Sequence, residues 1–202
     1  MIDHFRDLEE SDTLQKAGFR FGNKGTQSSR TIMLKELTEL LRAVPADGER
    51  TDYASAIIDE NVLGKQTVAN RRHTNQNLGE LYGLDRKYPV FRVLRRLWDM
   101  DEEGHQLLAM LCALTRDPML RMSTSSVLNL PLGTELVRVN FLEEMLQKTG
   151  SRLNSSILDK VARNAGSSWT QSRHLHGRVR KIRSKVHPTF GSTAFALWLG
   201  SL

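Results

Sequence analysis

From residue 31 onward the hydrophobic positions recur at helical spacing. Met33, Leu37, Leu40, Leu41 and Val44 share one face of a 3.6-residue repeat, and Pro45 with the following Ala-Asp-Gly ends it. Thr51 is placed to cap a second helix carrying Tyr53, Ala54, Ile57 and Ile58, closing between Asn61 and Gly64. A third helix starts at Gln66 or Thr67. Its apolar residues, Val68 and Ala69 and then Leu78, Leu81 and Tyr82, lie at its ends, while residues 70–77 are polar around the whole circumference, so packing is expected only at the ends. Pro89 opens a fourth helix with Phe91, Leu94, Leu97 and Trp98 inward. Asp101, Glu102 and Glu103 then stand where a helix dipole favours carboxylates, ahead of a stripe of Leu107, Leu108, Leu111 and Leu114 that Asp117 and Pro118 terminate. Those acids therefore read as caps rather than as a metal site. A further helix from Thr134 aligns Val137, Phe141 and Met145, with Leu142 and Leu146 beside them, until Lys-Thr-Gly-Ser at 148–151 breaks it. No segment before Gly150 argues for strands, and residues 1–30 show no sustained period; they read as an irregular arm ordered by Phe19 and Phe21.

After Gly150 the pattern follows helix-turn-helix grammar. Residues 154–156 cap a helix bearing Leu158, Val161, Ala162 and Ala165; Gly166 supplies a left-handed turn, and Ser167 or Ser168 caps a second helix starting at Trp169. Ser167 and Ser172 occupy positions usually apolar in such motifs, with Trp169 and Leu175 available to supply the packing. Two readings of residues 178–186 stand side by side. Val179, Ile182 and Val186 fit helical spacing, but β-branched residues between Gly177 and the His187-Pro188 turn suit a basic strand, the wing of a winged helix, which is preferred. From Ser192 a short helix brings Phe195, Leu197, Trp198 and Leu199, which need burial against the chain's own core or a partner. The expected fold class is mainly α, with an N-terminal helix-turn-helix-like part, a leucine-rich helical centre and a C-terminal helix-turn-helix, winged if 178–186 is a strand. The corresponding divisions are 1–30 (arm), 31–100 (N-terminal module), 101–150 (central helices) and 151–202 (C-terminal module).

At 202 residues, 39% hydrophobic and 26% charged, the chain is long enough for one large or two small cored domains. No apolar run approaches the roughly 18 residues of a membrane span, and the acidic start is unlike a secretory signal, so a cytoplasmic location without a membrane partner is expected. The single cysteine, Cys112, sits in the apolar run LLAMLCAL and reads as a reduced core thiol, which rules out disulfide and zinc-finger scaffolds. Charge placement says more than its total of +6. After Gly150 stand nine Lys or Arg (Arg152, Lys160, Arg163, Arg173, Arg178, Arg180, Lys181, Arg183, Lys185) against Asp159 alone, and residues 61–96 hold eight against Glu80 and Asp85. Such islands favour a polyanionic partner.

Reading a base sequence requires side chains that reach base edges, Arg for guanine and Asn or Gln for adenine, with neighbouring cations on phosphate. Both islands offer them. The first places Lys65, Asn70, Arg71, Arg72, His73, Asn75, Gln76 and Asn77 on or beside one helix; the second places Thr170, Gln171, Arg173 and His174 on the presumed recognition helix, with Arg178, Arg180, Lys181, Arg183 and Lys185 along the wing. His174, His176 and His187 have no acid or cysteine nearby in sequence, so phosphate-facing or packing roles are favoured over metal binding. No Walker loop, GxSxG or HExxH occurs. The expectation is a protein that is not an enzyme and needs no metal or cofactor.

The strings IIDENVLGKQTVANRRHTNQNLGELYGLD, LLAMLCALTRDPML and ARNAGSSWTQSRHLHGRVRKIR, in that order, resemble the small BrxA-type proteins of bacterial BREX phage-defence systems. The resemblance covers most of the chain after Arg30. It implies a mainly helical, non-enzymatic accessory that binds double-stranded DNA alongside other subunits of a defence complex, a DNA methyltransferase among them. The competing class is a helical interaction adaptor or an RNA binder. RNA readers usually stack bases on exposed aromatics, and the basic islands offer only Tyr82, Tyr88, Phe91, Trp98 and Trp169, mostly at packing positions, which favours duplex DNA.

Overall fold

The computed structural model describes residues 9–22, 25–149 and 154–202. Among them the chain is mainly helical: α1 (Asp12–Ala17), α2 (Leu34–Ala43), α3 (Arg50–Ile58), α4 (Val68–Tyr82), α5 (Pro89–Met100), α6 (His105–Arg116), α7 (Pro118–Met122), α8 (Thr124–Leu128), α9 (Arg138–Thr149), α10 (Ser155–Gln171) and α11 (Phe190–Gly200). Two short strands, β1 (Leu175–His176) and β2 (Ile182–Arg183), pair antiparallel with Leu175 opposite Arg183. None of these helices is long and apolar enough to cross a membrane.

Helix α6 is the central post. Every residue from Leu108 to Arg116 is buried, as a helix without a polar face requires, and α4, α5 and α11 pack around it. Buried side chains from Leu14 in α1 to Leu199 in α11 form one continuous cluster. Cys112 lies within it, and burial pushes its thiol up to about 12, so it stays protonated. The stripes read from sequence in α2, α3, α5 and α6 face this core: Leu37, Tyr53, Ile57, Leu94 and Leu108 are fully buried. Asp101 acts as a cap, accepting from the Gly104 amide at 3.1 Å, and also holds the start of α11 through the Gly191 amide at 2.8 Å. Asp117 likewise caps α7 through the Leu120 amide at 3.0 Å.

Several expectations need correction. Part of the supposed irregular arm is the helix α1, capped by Ser11 and by left-handed Gly18, and Phe19 is buried; residues 1–8, 23 and 24 lie outside the described residues. Helix α3 begins at Arg50 because Glu49 and Asp52 form a reciprocal capping box, which displaces Thr51 from the cap. Helix α9 begins at Arg138 rather than Thr134, since Glu135 bridges to Ile182 in extended conformation and Leu136 N donates to Lys181 O at 2.7 Å. Val137 is therefore exposed, while Phe141 and Met145 pack as expected. The break expected at 148–151 lies largely outside the described residues.

The C-terminal helix-turn-helix is absent. Helix α10 runs unbroken through Gly166, and Leu158, Val161, Ala162, Ala165 and Trp169 form one buried stripe along it. The two serines predicted to cap a new helix bond back along the existing one, Ser167 Oγ to Arg163 O at 2.9 Å and Ser168 Oγ to Asn164 O at 2.8 Å, as does the expected reader Thr170, Oγ1 to Gly166 O at 2.9 Å. Gly166 instead lets the Lys181 stem cross close to the helix, where an added Cβ would lie 3.3 Å from Lys181 Cδ. Residues 177–189 are not helical, so the extended reading holds at Ile182–Arg183, yet the hairpin flanks the end of a long helix rather than a recognition helix.

Candidate nucleic-acid interface

The first half of α4 stands out from the core. Thr67 caps it, its hydroxyl accepting from the Asn70 amide at 3.2 Å, and burial begins only at Thr74, followed by Leu78, Leu81 and Tyr82. Val68 is 50% exposed and Ala69 is exposed, so only the C-terminal end packs, because residues 68–73 give the core too little apolar surface. Asn70, Arg72, His73 and Gln76 face solvent, and no acidic side chain occurs between Val68 and Gly79.

Other residues singled out in this island serve the fold. The Arg71 guanidinium turns back to close α3, donating from Nη1 to Ile58 O at 3.1 Å and from Nε to Lys65 O at 3.3 Å. Asn75 Oδ1 accepts from Arg50 at 3.0 Å, and Lys65 Nζ pairs with Glu36 at 2.9 Å. Asn70, Arg72 and His73 thus remain exposed without a side-chain hydrogen bond among the described residues, while the exposed Gln76 donates from Nε2 to Glu80 Oε1 at 3.2 Å. Helices α3 and α4 pack together but are joined by residues 59–67, longer than the three or four residues of a helix-turn-helix turn.

Beside the exposed face of α4 lies a cleft of about 700 Å³, whose near wall is His73, Gln76 and Asn77 and whose far wall includes Ser28, Ser29 and Arg30. The far wall is fixed from below. Thr26 N and Gln27 N donate to the buried Asp117 carboxylate at 2.7 and 3.2 Å, and Asn164 Nδ2 donates to Gln27 O at 2.7 Å. Arg20 closes one end through Glu80 at 3.7 Å. Sequence periodicity could not reveal this wall, since residues 25–30 have none and come to α4 only through long-range hydrogen bonds; the polar run Thr-Gln-Ser-Ser-Arg was the only local signal.

The second island loses most of its proposed readers. Gln171 is a staple: Nε2 donates to Thr31 Oγ1 at 2.9 Å, and Oε1 accepts from Leu34 N at 3.1 Å. Thr170 Oγ1 accepts from Lys181 Nζ at 3.0 Å, which turns that lysine onto α10. His174 is buried edge-on against Trp169 with Nδ1 2.9 Å from Ser172 Oγ; burial, aided by the Arg183 charge, lowers its pKa to about 4. A neutral, enclosed imidazole cannot serve as a phosphate cation. Arg183 points inward to His174 O at 3.1 Å, and Arg180 pairs with Glu135 at 2.8 Å. Arg173, Arg178 and Lys185 remain exposed without an acidic partner among the described residues, Arg173 at a left-handed φ of 64° in the turn after α10.

No group of three or more His, Cys, Asp or Glu side chains that could hold a metal occurs among the described residues. No protein-family model matches the chain, and no curated protein matches its sequence significantly.

Proposed function

We propose that this protein is a non-enzymatic duplex-DNA-binding accessory whose exposed α4 enters the major groove. The observation that carries this reading is the start of α4, solvent-facing, free of acids and bearing Asn70, Arg72 and His73, with the exposed Gln76 following, its amide held by Glu80 at 3.2 Å. A major groove about 12 Å wide admits a helix, and amide and guanidinium groups match the edges of adenine and guanine. Arg30 across the cleft and the exposed Arg173, Arg178 and Lys185 supply phosphate contacts. Membership in a BREX-like phage-defence complex, with a methyltransferase among its subunits, rests on the sequence resemblance. The test is a salt-resolved comparison of duplex DNA, single-stranded DNA and duplex RNA. Tightest binding to duplex DNA, falling linearly with log salt, is expected; preference for either other ligand refutes the reading.

An interaction adaptor is the second reading, favoured by α11. Phe190 and Leu197 on that helix are 61% and 58% exposed, and an apolar cavity of about 310 Å³ opens beside it between Leu107, Leu111, Val186 and Ala196. If none of the nucleic acids binds, this reading takes its place.

A further inference from the structure

The outward face of α5 carries an arrangement that DNA reading at α4 does not use. Arg92, Arg95, Arg96 and Asp99 recur at helical spacing and, with Arg86 from the preceding turn and Ala46 opposite, line a cleft of about 380 Å³. Arg95 forms its floor. It is 7% exposed and already committed, pairing with Asp99 and donating from Nη2 to Leu41 O at 3.0 Å and Val44 O at 3.2 Å, so it closes the end of α2.

The rim is different. Among the described residues, Arg86 has one carboxylate partner, Glu49 at 3.4 Å, whereas Arg92 donates only to the carbonyls of Arg86 at 2.6 Å and Lys87 at 3.4 Å, and Arg96 has no hydrogen-bond or ion-pair partner. Asp99, the only acid lining the cleft among the described residues, is paired with Arg95, which leaves two guanidinium charges on the rim with no counter-charge from those residues. Local physics disfavours this placement. Arg92 and Arg96 are a like-charge i,i+4 pair, and Arg92 lies near the N-terminal end of α5, where the helix dipole opposes a cation. Both effects disfavour the unliganded protein, and an anion seated between the guanidiniums reverses both.

We propose that this α5 cleft binds a free oligophosphate, two or more linked phosphoryl groups carried by a small molecule. Planar guanidiniums present paired donors that match phosphoryl oxygens, and two uncompensated charges call for a polyvalent anion rather than a single carboxylate. The cleft is larger than one phosphate needs and lies at the lower end of the range of about 300–1,000 Å³ for small-ligand pockets. Phe91, its one aromatic residue, is only 1% exposed, so no stacking face is offered and recognition ends at the phosphoryl groups.

The test is calorimetric titration of the whole protein with sodium tripolyphosphate, pyrophosphate and phosphate at matched ionic strength. Wild type is compared with Arg96→Glu and with Lys160→Glu, an equal charge change at an exposed position of α10. Arg96 is exposed and makes no hydrogen bond or ion pair among the described residues, so its variant should melt normally; Arg92→Gln is a second variant read in the same titration. Saturable one-to-one binding is expected, strongest for tripolyphosphate, weakened at least tenfold by Arg96→Glu and by Arg92→Gln, and unchanged by Lys160→Glu. Absence of saturable binding, or equal weakening by Arg96→Glu and Lys160→Glu, overturns the proposal. So does a result in which Arg96→Glu weakens only duplex-DNA binding, because the arginines would then be contacts to the DNA backbone. The outcome is independent of the α4 reading, whose failure leaves these titrations unaffected.

Discussion

Trp169→Ala tests whether the C-terminal third belongs to the same core as the rest. The indole is fully buried, its Nε1 donates to Ser123 Oγ at 2.7 Å, and its ring meets His174 edge-on with centroids 4.9 Å apart. Truncating a buried Trp costs about 3–5 kcal/mol. Loss of the Ser123 hydrogen bond adds about 1 kcal/mol, because Ser123 Oγ keeps its bond to Leu120 O and is not left wholly unsatisfied. The total, about 4–6 kcal/mol, rivals the 5–15 kcal/mol that holds a typical domain together. Trp169 sits in the continuous cluster that joins α6, α10 and α11, so the loss should reach the entire chain. Urea unfolding followed by far-UV circular dichroism and by fluorescence of the remaining tryptophans, Trp98 and Trp198, should show one shared transition moved to lower urea. Separation into an early and an unmoved late transition would refute a common core, and wild-type melting would refute the burial of Trp169.

Gly166→Ala should be neutral or stabilising by up to about 1 kcal/mol, since alanine favours a helix interior and only the flexible Lys181 stem must yield; a loss above about 1 kcal/mol in chemical denaturation would favour a turn at that position. His174 has a folded pKa of about 4, below the ordinary value near 6.5, so the unfolded chain takes up a proton first as pH falls. Its contribution to stability is complete above pH 6.5 and declines towards pH 4, by about 3 kcal/mol in all; the wild-type minus His174→Gln stability difference should follow that curve, and a flat difference would contradict it. Cys112, protonated and enclosed, should resist a thiol reagent at pH 8 until the protein unfolds, and fast labelling of the native protein would contradict its burial.

Helix periodicity revealed the core faces of α2, α3 and α5 because each buries one stripe in the common core, and it caught the leucine stripe of α6, which is buried all round from Leu108 onward. It failed at α10, where a glycine and the three hydroxyl residues after it imitate turn chemistry. A turn needs positive φ at the glycine, but Gly166 stays helical, and Ser167, Ser168 and Thr170 meet their needs by bonding back along the helix. The short helices α1, α7 and α8 carry too few turns to show a period. Charge totals located the basic islands yet could not separate working cations from structural ones. Arg71, Arg95 and Arg116 are drawn to the carbonyls at the ends of α3, α2 and α4, partners distant in sequence or hidden in backbone. The exposure of Asn70 and Arg72 on α4 was legible; the place of Arg30 was not, because residues 25–30 are brought to the α4 cleft by bonds distant in sequence, to Asp117, Asn164 and Glu80.

The most direct measurement of the central claim compares duplex-DNA binding by Arg72→Ala, Gln76→Ala and the double variant Arg178→Ala/Lys185→Ala across a salt series. If α4 reads bases and the hairpin touches phosphates, the hairpin variant lowers the salt slope by about 1.8, at about 0.9 per lost contact, with sequence preference intact. Arg72→Ala and Gln76→Ala then change the preferred sequence, each by about 1–3 kcal/mol of discrimination. Unchanged affinity, slope and preference in both α4 variants would contradict the assignment of α4 as the DNA-reading helix.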